Sequence, residues 1–219
     1  MKNFLAATLL VALCGACLTT KAERDWAAGP EDSLLVDVSP AEKTRVSTAR
    51  VAQGKAQDVL AAAQRQHDLA VSDQQTGKQQ HRASVDQVAW TKTALANSET
   101  TGTTTDVEAA KEAVRVAENA RDVQVAHCEL RDLEVTEAQQ QAALANTQVA
   151  VASARLELAK SVAISTLDRP DAQKPDIPRY EAAVREAEGR ENIARAGLAA
   201  AAREVVIGRS KLAERERVR

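Results

Sequence analysis

The chain has 219 residues, a formal net charge of −2 and only 2% aromatic residues, and its one methionine is the first residue. Large apolar side chains are too scarce for a thick single core, so apolar area has to be buried along narrow helix–helix seams where Ala and Val suffice. Acidic and basic residues are interspersed, with no basic stripe of the kind that tracks a phosphate backbone, which excludes nucleic acid as the expected partner.

Residues 1–17 read MKNFLAATLLVALCGAC. Lys2 gives a positive start, and the apolar run from Phe4 to Leu13 has the length of an export signal. It falls short of the roughly 20 residues that span a bilayer. Gly15 and Ala16 then lead directly into Cys17. This arrangement resembles the lipobox of bacterial lipoproteins, a match of about four residues plus the preceding signal. The resemblance implies cleavage before Cys17, a diacylglyceryl group on its thiol and acylation of its new amino terminus. Cys14 stands where that family usually has an aliphatic residue, and Leu13 before it is not the small residue that would make Cys14 the lipidated one. Leu18 replaces the Asp that the family associates with inner-membrane retention, so the resemblance implies the outer membrane, facing the periplasm. Several acyl chains would anchor stably where one gives only reversible binding. The alternative is an ordinary signal cleaved near Ala16 or Ala22, giving a soluble periplasmic protein.

Residues 17–38 read as a lipidated cysteine and a tether of mixed polarity, broken by Gly29-Pro30 and lacking a helical period. Trp26 and Leu34-Leu35-Val36 are the groups in it that would dock on the body or lie at the membrane interface.

Ser39-Pro40-Ala41-Glu42 carries the marks of a helix start: a Ser cap, Pro at the first helical position and Glu placed for a capping box. A heptad runs on from there. Val46, Gln53, Leu60, His67, Gln74, His81, Val88 and Leu95 hold one seam position, and Ala49, Ala56, Ala63, Ala70, Gly77, Ser84 and Thr91 hold the other. Seven small residues in succession imply close helix approach, as in an alanine-rich coiled coil.

The polar stretch around Gly102, residues 99–105, predicts a hairpin turn, with Thr105 and Glu108 forming the next capping box. A second long helix follows to about residue 166. Val107, Val114, Val135, Val149 and Leu156 hold one of its seam positions, and Ala110, Ala117, Ala138, Ala145, Ala152 and Ala159 the other. Arg121, Gln124 and Arg131 interrupt this seam while Val116, Val123 and Leu130 outline a displaced one, which predicts a change of register between about 118 and 134.

Three prolines make 167–177 a loop, and Pro178 opens a third helix over 178–219. Ile177, Val184, Leu198, Val205 and Leu212 alternate there with Tyr180, Ala187, Ala194, Ala201 and Gly208. The expected fold is all-α: a long antiparallel coiled-coil hairpin over 39–166 and a shorter third helix, preceded by signal peptide (1–16) and tether. Its seams are thin, so self-association is also expected.

Chemistry is sparse. His67 and His81 are about 21 Å apart along one helix and cannot share an ion. His127 comes opposite His81 if the turn lies near Gly102, with Cys128 beside it, yet a four-ligand zinc set is incomplete. The histidines then read as polar interruptions that fix register. Cys128 is the one thiol left once Cys17 is lipidated, as either an intermolecular disulfide or a free, semi-buried thiol. No GxSxG, HExxH or phosphate loop occurs. The expectation is a protein without catalytic residues, metal, cofactor or small-molecule substrate.

In plan the chain is similar to the alanine-rich murein lipoprotein family, which implies a structural spacer or interaction module partnered by itself or by an envelope protein. It departs from that family in its length and in ending Val218-Arg219 without the terminal Lys that family joins to peptidoglycan. A second resemblance, to the helical hairpins of periplasmic adaptor proteins, implies an accessory subunit of a transport or secretion assembly, though no flanking β-segments are readable. A helical periplasmic chaperone is the third expectation.

Overall fold

A computed structural model describes residues 32–167 and 174–217, and all of its regular elements are helical. A 3-10 helix, Asp32–Val36, precedes α1 (Pro40–Thr101), α2 (Thr104–Ser165) and α3 (Ile177–Arg217). The fold is all-α, as the heptads predict. At 1.5 Å per residue α1 and α2 are each roughly 90 Å long.

The helix ends follow from capping. Ser39 Oγ accepts from the backbone N of Glu42 at 3.3 Å, and Pro40 occupies the first turn. The expected reciprocal bond is replaced, because the Glu42 carboxylate accepts from Arg45 at 2.8 Å. The hairpin turn is tighter than 99–105: α1 continues to Thr101, and only Gly102 and Thr103 separate the helices. Gly102 N donates to the Ser98 carbonyl at 2.8 Å, and a Cβ on Gly102 would come within 2.6 Å of that oxygen, so a side chain has no room there. The cap of α2 is Thr103, not Thr105. Thr103 Oγ1 accepts from Asp106 N while the Asp106 carboxylate accepts from Thr103 N, a complete capping box two residues before the expected one. For α3 the cap is Asp176, whose carboxylate accepts from Arg179 N at 3.3 Å.

The α1 seam is as the heptad predicts, since every one of its fifteen positions from Val46 to Leu95 is buried or half-buried. Val46 and Ala49 pack with Leu156 and Ala159 of α2 at one end. Gln53 Nε2 donates to Ser153 Oγ at 2.9 Å, and Lys92 pairs with Glu118 at 2.8 Å toward the turn.

The expected register change in α2 does not occur. α2 is one unbroken helix, and it carries two seams because it lies between two helices: α1 and α3 both pack on α2 and not extensively on each other. Residues two places apart sit about 200° apart around a helix. Thus Arg131 lies over Gly77 of α1, while Leu133 lies over Gly208 of α3. Val123 and Leu130 belong to this second seam, packed with Ala126, Val205 and Leu212. Farther along, Val151 and Ala154 meet Val184 and Ala187. Val116 is exposed and belongs to neither.

The result is a three-helix layer. α3 ends near His127, whose Nε2 lies 3.5 Å from Glu216, so the hairpin runs on as two helices alone toward Gly102.

Candidate functional site

The most connected group of side chains lies at the end of the layer opposite Gly102, where the segment before α1 meets the hairpin. Ser33, Leu34, Leu35 and Val36 belong to a helical turn begun by Asp32. An acidic residue in a first turn faces the free N–H groups and the positive end of the peptide dipoles. The turn places Leu35 against α2, and Val38 is only 4% exposed among Val46, Leu156 and Ala163. Residues 32–38, read from sequence as tether, are therefore docked.

Charge fixes the same contact. Asp32 accepts from Arg50 of α1 at 2.7 Å and lies 3.2 Å from Lys160 of α2, which also reaches Glu157 at 3.0 Å. Lys43 Nζ donates to the Val36 carbonyl at 2.8 Å. One carboxylate thus joins both helices of the hairpin. The hydrogen bond from Lys160, reinforced by the charges of Lys160 and Arg50, holds the Asp32 carboxyl below the usual carboxylate range and outweighs the opposing effect of burial. Burial alone would lower the Lys160 ammonium; its hydrogen bonds to Glu157 and Asp32 outweigh that and raise it. The other oxygen of Glu157 is buried without a hydrogen-bond partner among the described residues.

Beside this base, α1, α2 and Glu191 of α3 line a trough of about 540 Å³ with Ala49, Ala52, Val151 and Ala152 on its floor and Arg45 and Arg155 at its rim. Arg155 pairs with Glu188 at 2.7 Å, and Glu191 is held by Arg195 and Gln148. Arg155 and Glu188 neutralise one another across the α2–α3 boundary, and Glu191 and Arg195 do so within α3. The trough has no convergent nucleophile–base pair of the kind that marks catalysis.

Cys17, Cys14 and Trp26 lie outside the described residues. Cys128 is half-buried in α2. Burial first, then the nearby Asp132 carboxylate, pushes its thiol up, against the opposing charges of Arg131 and Lys78. His127 is at the expected level but faces α3 and Glu216, not His81. His67 lies 3.6 Å from its neighbour Asp68, and the His81 carbonyl accepts from Ser84. Among the described residues no group of three or more His, Cys, Asp or Glu is placed to hold a metal ion, and no helix is long and apolar enough to cross a membrane.

Sequence reasoning missed the Asp32–Lys160–Arg50 cluster. Its signal was present as an acidic residue two places before the apolar triad Leu34-Leu35-Val36, a short helix start without the length to show a period. No family model, curated protein or solved structure matches the chain.

Proposed function

We propose that this protein is a non-enzymatic envelope lipoprotein, anchored in the outer membrane through lipid on Cys17, whose helical layer acts as a spacer and protein-interaction module. The observation that supports it most directly is the docking of Asp32–Val38 on the end of the hairpin. Chain arriving from Cys17 enters the body at one end of its long axis, and the ion cluster ties it to both α1 and α2. Fourteen residues separate Cys17 from Asp32, a reach of at most roughly 50 Å. A rod attached at its end holds surface at a distance from the membrane.

The test is metabolic labelling with a fatty-acid probe in wild type, Cys17→Ser and Cys14→Ser. Loss of label only in Cys17→Ser is expected. Loss only in Cys14→Ser would overturn the site, and no label in wild type would overturn the anchor.

The adaptor reading is favoured by a different feature. Near the turn the hairpin extends past α3, and Trp90 there is 67% exposed. A large exposed aromatic on a projecting tip suits contact with another protein. Cross-linking in cells from a photoreactive residue at position 90 separates the readings: transport or secretion subunits support the adaptor, self-products or wall material the spacer.

A further inference from the structure

α2 shows how this fold builds a second seam: its α3-facing residues stand two places on from its α1-facing ones. α3 carries a second stripe at that same offset from its own seam, and this one is open to solvent. Ile193 and Ile207 lie on it seven-residue periods apart, 75% and 46% exposed, with Ala200 midway between them. Three places after Glu186, Ile193, Ala200 and Ile207 come Gly189, Ala196, Arg203 and Ser210, also exposed. A Cβ on Gly189 would meet nothing within 4 Å, so no neighbour inside the protein accounts for the small residue there.

We propose that this stripe is a homodimer interface, in which α3 pairs antiparallel with α3 of a second copy about a two-fold axis next to Ala201. The partner follows from the pattern. Inside the protein the antiparallel seam sets long side chains across short ones: Leu130 and Leu133 lie over Gly208, and Val151 packs with Ala187. Applied to the open stripe, the same layering sets Ile193 against the partner subunit's Ser210 and Ile207 against the partner subunit's Ala196. Arg203 falls against the partner subunit's Ala200, and Glu214 against the partner subunit's Gly189. In each of these four pairs a long side chain meets a short one. At both ends Glu186 meets the partner subunit's Arg217, so opposite charges close the seam. Parallel pairing would instead stack Arg203 on its copy and Glu186 on its copy, which is unfavourable at close range.

At the matching offset α1 carries the exposed apolar residues Val51, Leu69 and Trp90 set among Asp58, Arg65, Gln79 and Asp86. The α3 face is distinguished by being complementary to itself, and a self-complementary face gives a two-fold dimer, not an open stack. This inference is independent of lipid on Cys17.

The experiment uses the full chain with Cys14, Cys17 and Cys128 changed to Ser, carrying either Ala200→Cys or Ile193→Cys, under mild oxidation. In the antiparallel dimer the two copies of position 200 are offset by about 5 Å along the axis and those of 193 by about 25 Å. Ala200→Cys should cross-link and Ile193→Cys should not. Cross-linking at 193 would overturn the antiparallel arrangement. Sedimentation equilibrium at a 23.4 kDa monomer mass up to 100 times the working concentration of about 1 μM would overturn the dimer. Ile193→Lys with Ile207→Lys, checked by circular dichroism for retained helix, should weaken association at least tenfold. An unchanged dissociation constant would overturn the surface.

Discussion

The guanidinium arm of Arg131 lies directly over the bare Cα of Gly77, where a Cβ would fall 2.7 Å from Arg131 Cδ, and Arg131 Nη1 goes on to donate to the Asp73 carbonyl at 2.7 Å. An arginine thus crosses a helix–helix seam because the facing position has no side chain. Gly54, in the same helix, has nothing within 4 Å of a Cβ.

Gly54→Ala should therefore stabilise the protein by about 0.5–1 kcal/mol, the helical preference of Ala over Gly. Gly77→Ala should show little or none of that gain, because Arg131 must leave its groove and its bond to Asp73. Removing the arm in Gly77→Ala/Arg131→Ala should restore a positive coupling between the two sites. Urea unfolding followed by circular dichroism checks this double-mutant cycle; a Gly77→Ala gain equal to that of Gly54→Ala would refute the packing account.

The docked segment should depend on pH at both extremes. Asp32 is held below its ordinary 3.8, so its contribution is complete above that value and is lost as pH falls through the lower folded one. Lys160 is raised above 10.5, so its contribution is complete below that value and is lost as pH rises through the higher folded one. Proteolytic nicking between Val36 and Ser39 should stay low from about pH 4 to pH 10 and rise outside it. Asp32→Asn should loosen the segment by at most about 1 kcal/mol, since Asp32 is largely exposed and its pairs are screened.

Val38→Ala should cost about 1–2 kcal/mol, because Val38 fills the space between Val46 and Leu156. Val36→Ala should cost almost nothing at a mostly exposed position. Equal effects of the two substitutions on thermal unfolding would contradict the docking described here.

How much could be read beforehand depended on length. The α1 seam repeats over seven heptads, so one odd residue such as His67 or Gln74 does not obscure it. In α2 the two seams overlap in one stretch of sequence, and a single-seam reading turns Val123 and Leu130 into a register shift. Only a helix on the far side explains them, and that is a tertiary fact. Asp32–Val36 is a single turn, too short for periodicity to appear. Thr105-x-x-Glu108 and Thr103-x-x-Asp106 are both acceptable starts on local grounds. The tight turn at Gly102 chooses the second.

That choice gives a sharp contrast. Thr103→Ala removes the oxygen that accepts from Asp106 N and should cost about 1 kcal/mol. Thr105→Ala, inside the first turn, should cost a few tenths at most or stabilise slightly. Unfolding midpoints for the two variants decide between the caps.

Cys128 bears on whether association is covalent. Its thiol is half-buried and pushed up by burial and by Asp132, so little thiolate forms at neutral pH and little of the sulfur is reachable. Iodoacetamide should modify folded protein at least about tenfold more slowly than protein in urea. A dimer formed through α3 should then be insensitive to reductant and unchanged in Cys128→Ser, because Ile193 and Ile207 lie on a different helix. Disulfide-linked dimer in freshly purified wild type, absent from Cys128→Ser, would instead make Cys128 the link. It would also mean that the α1–α2 seam opens under ordinary conditions, since the sulfur is held beside Lys78 of α1.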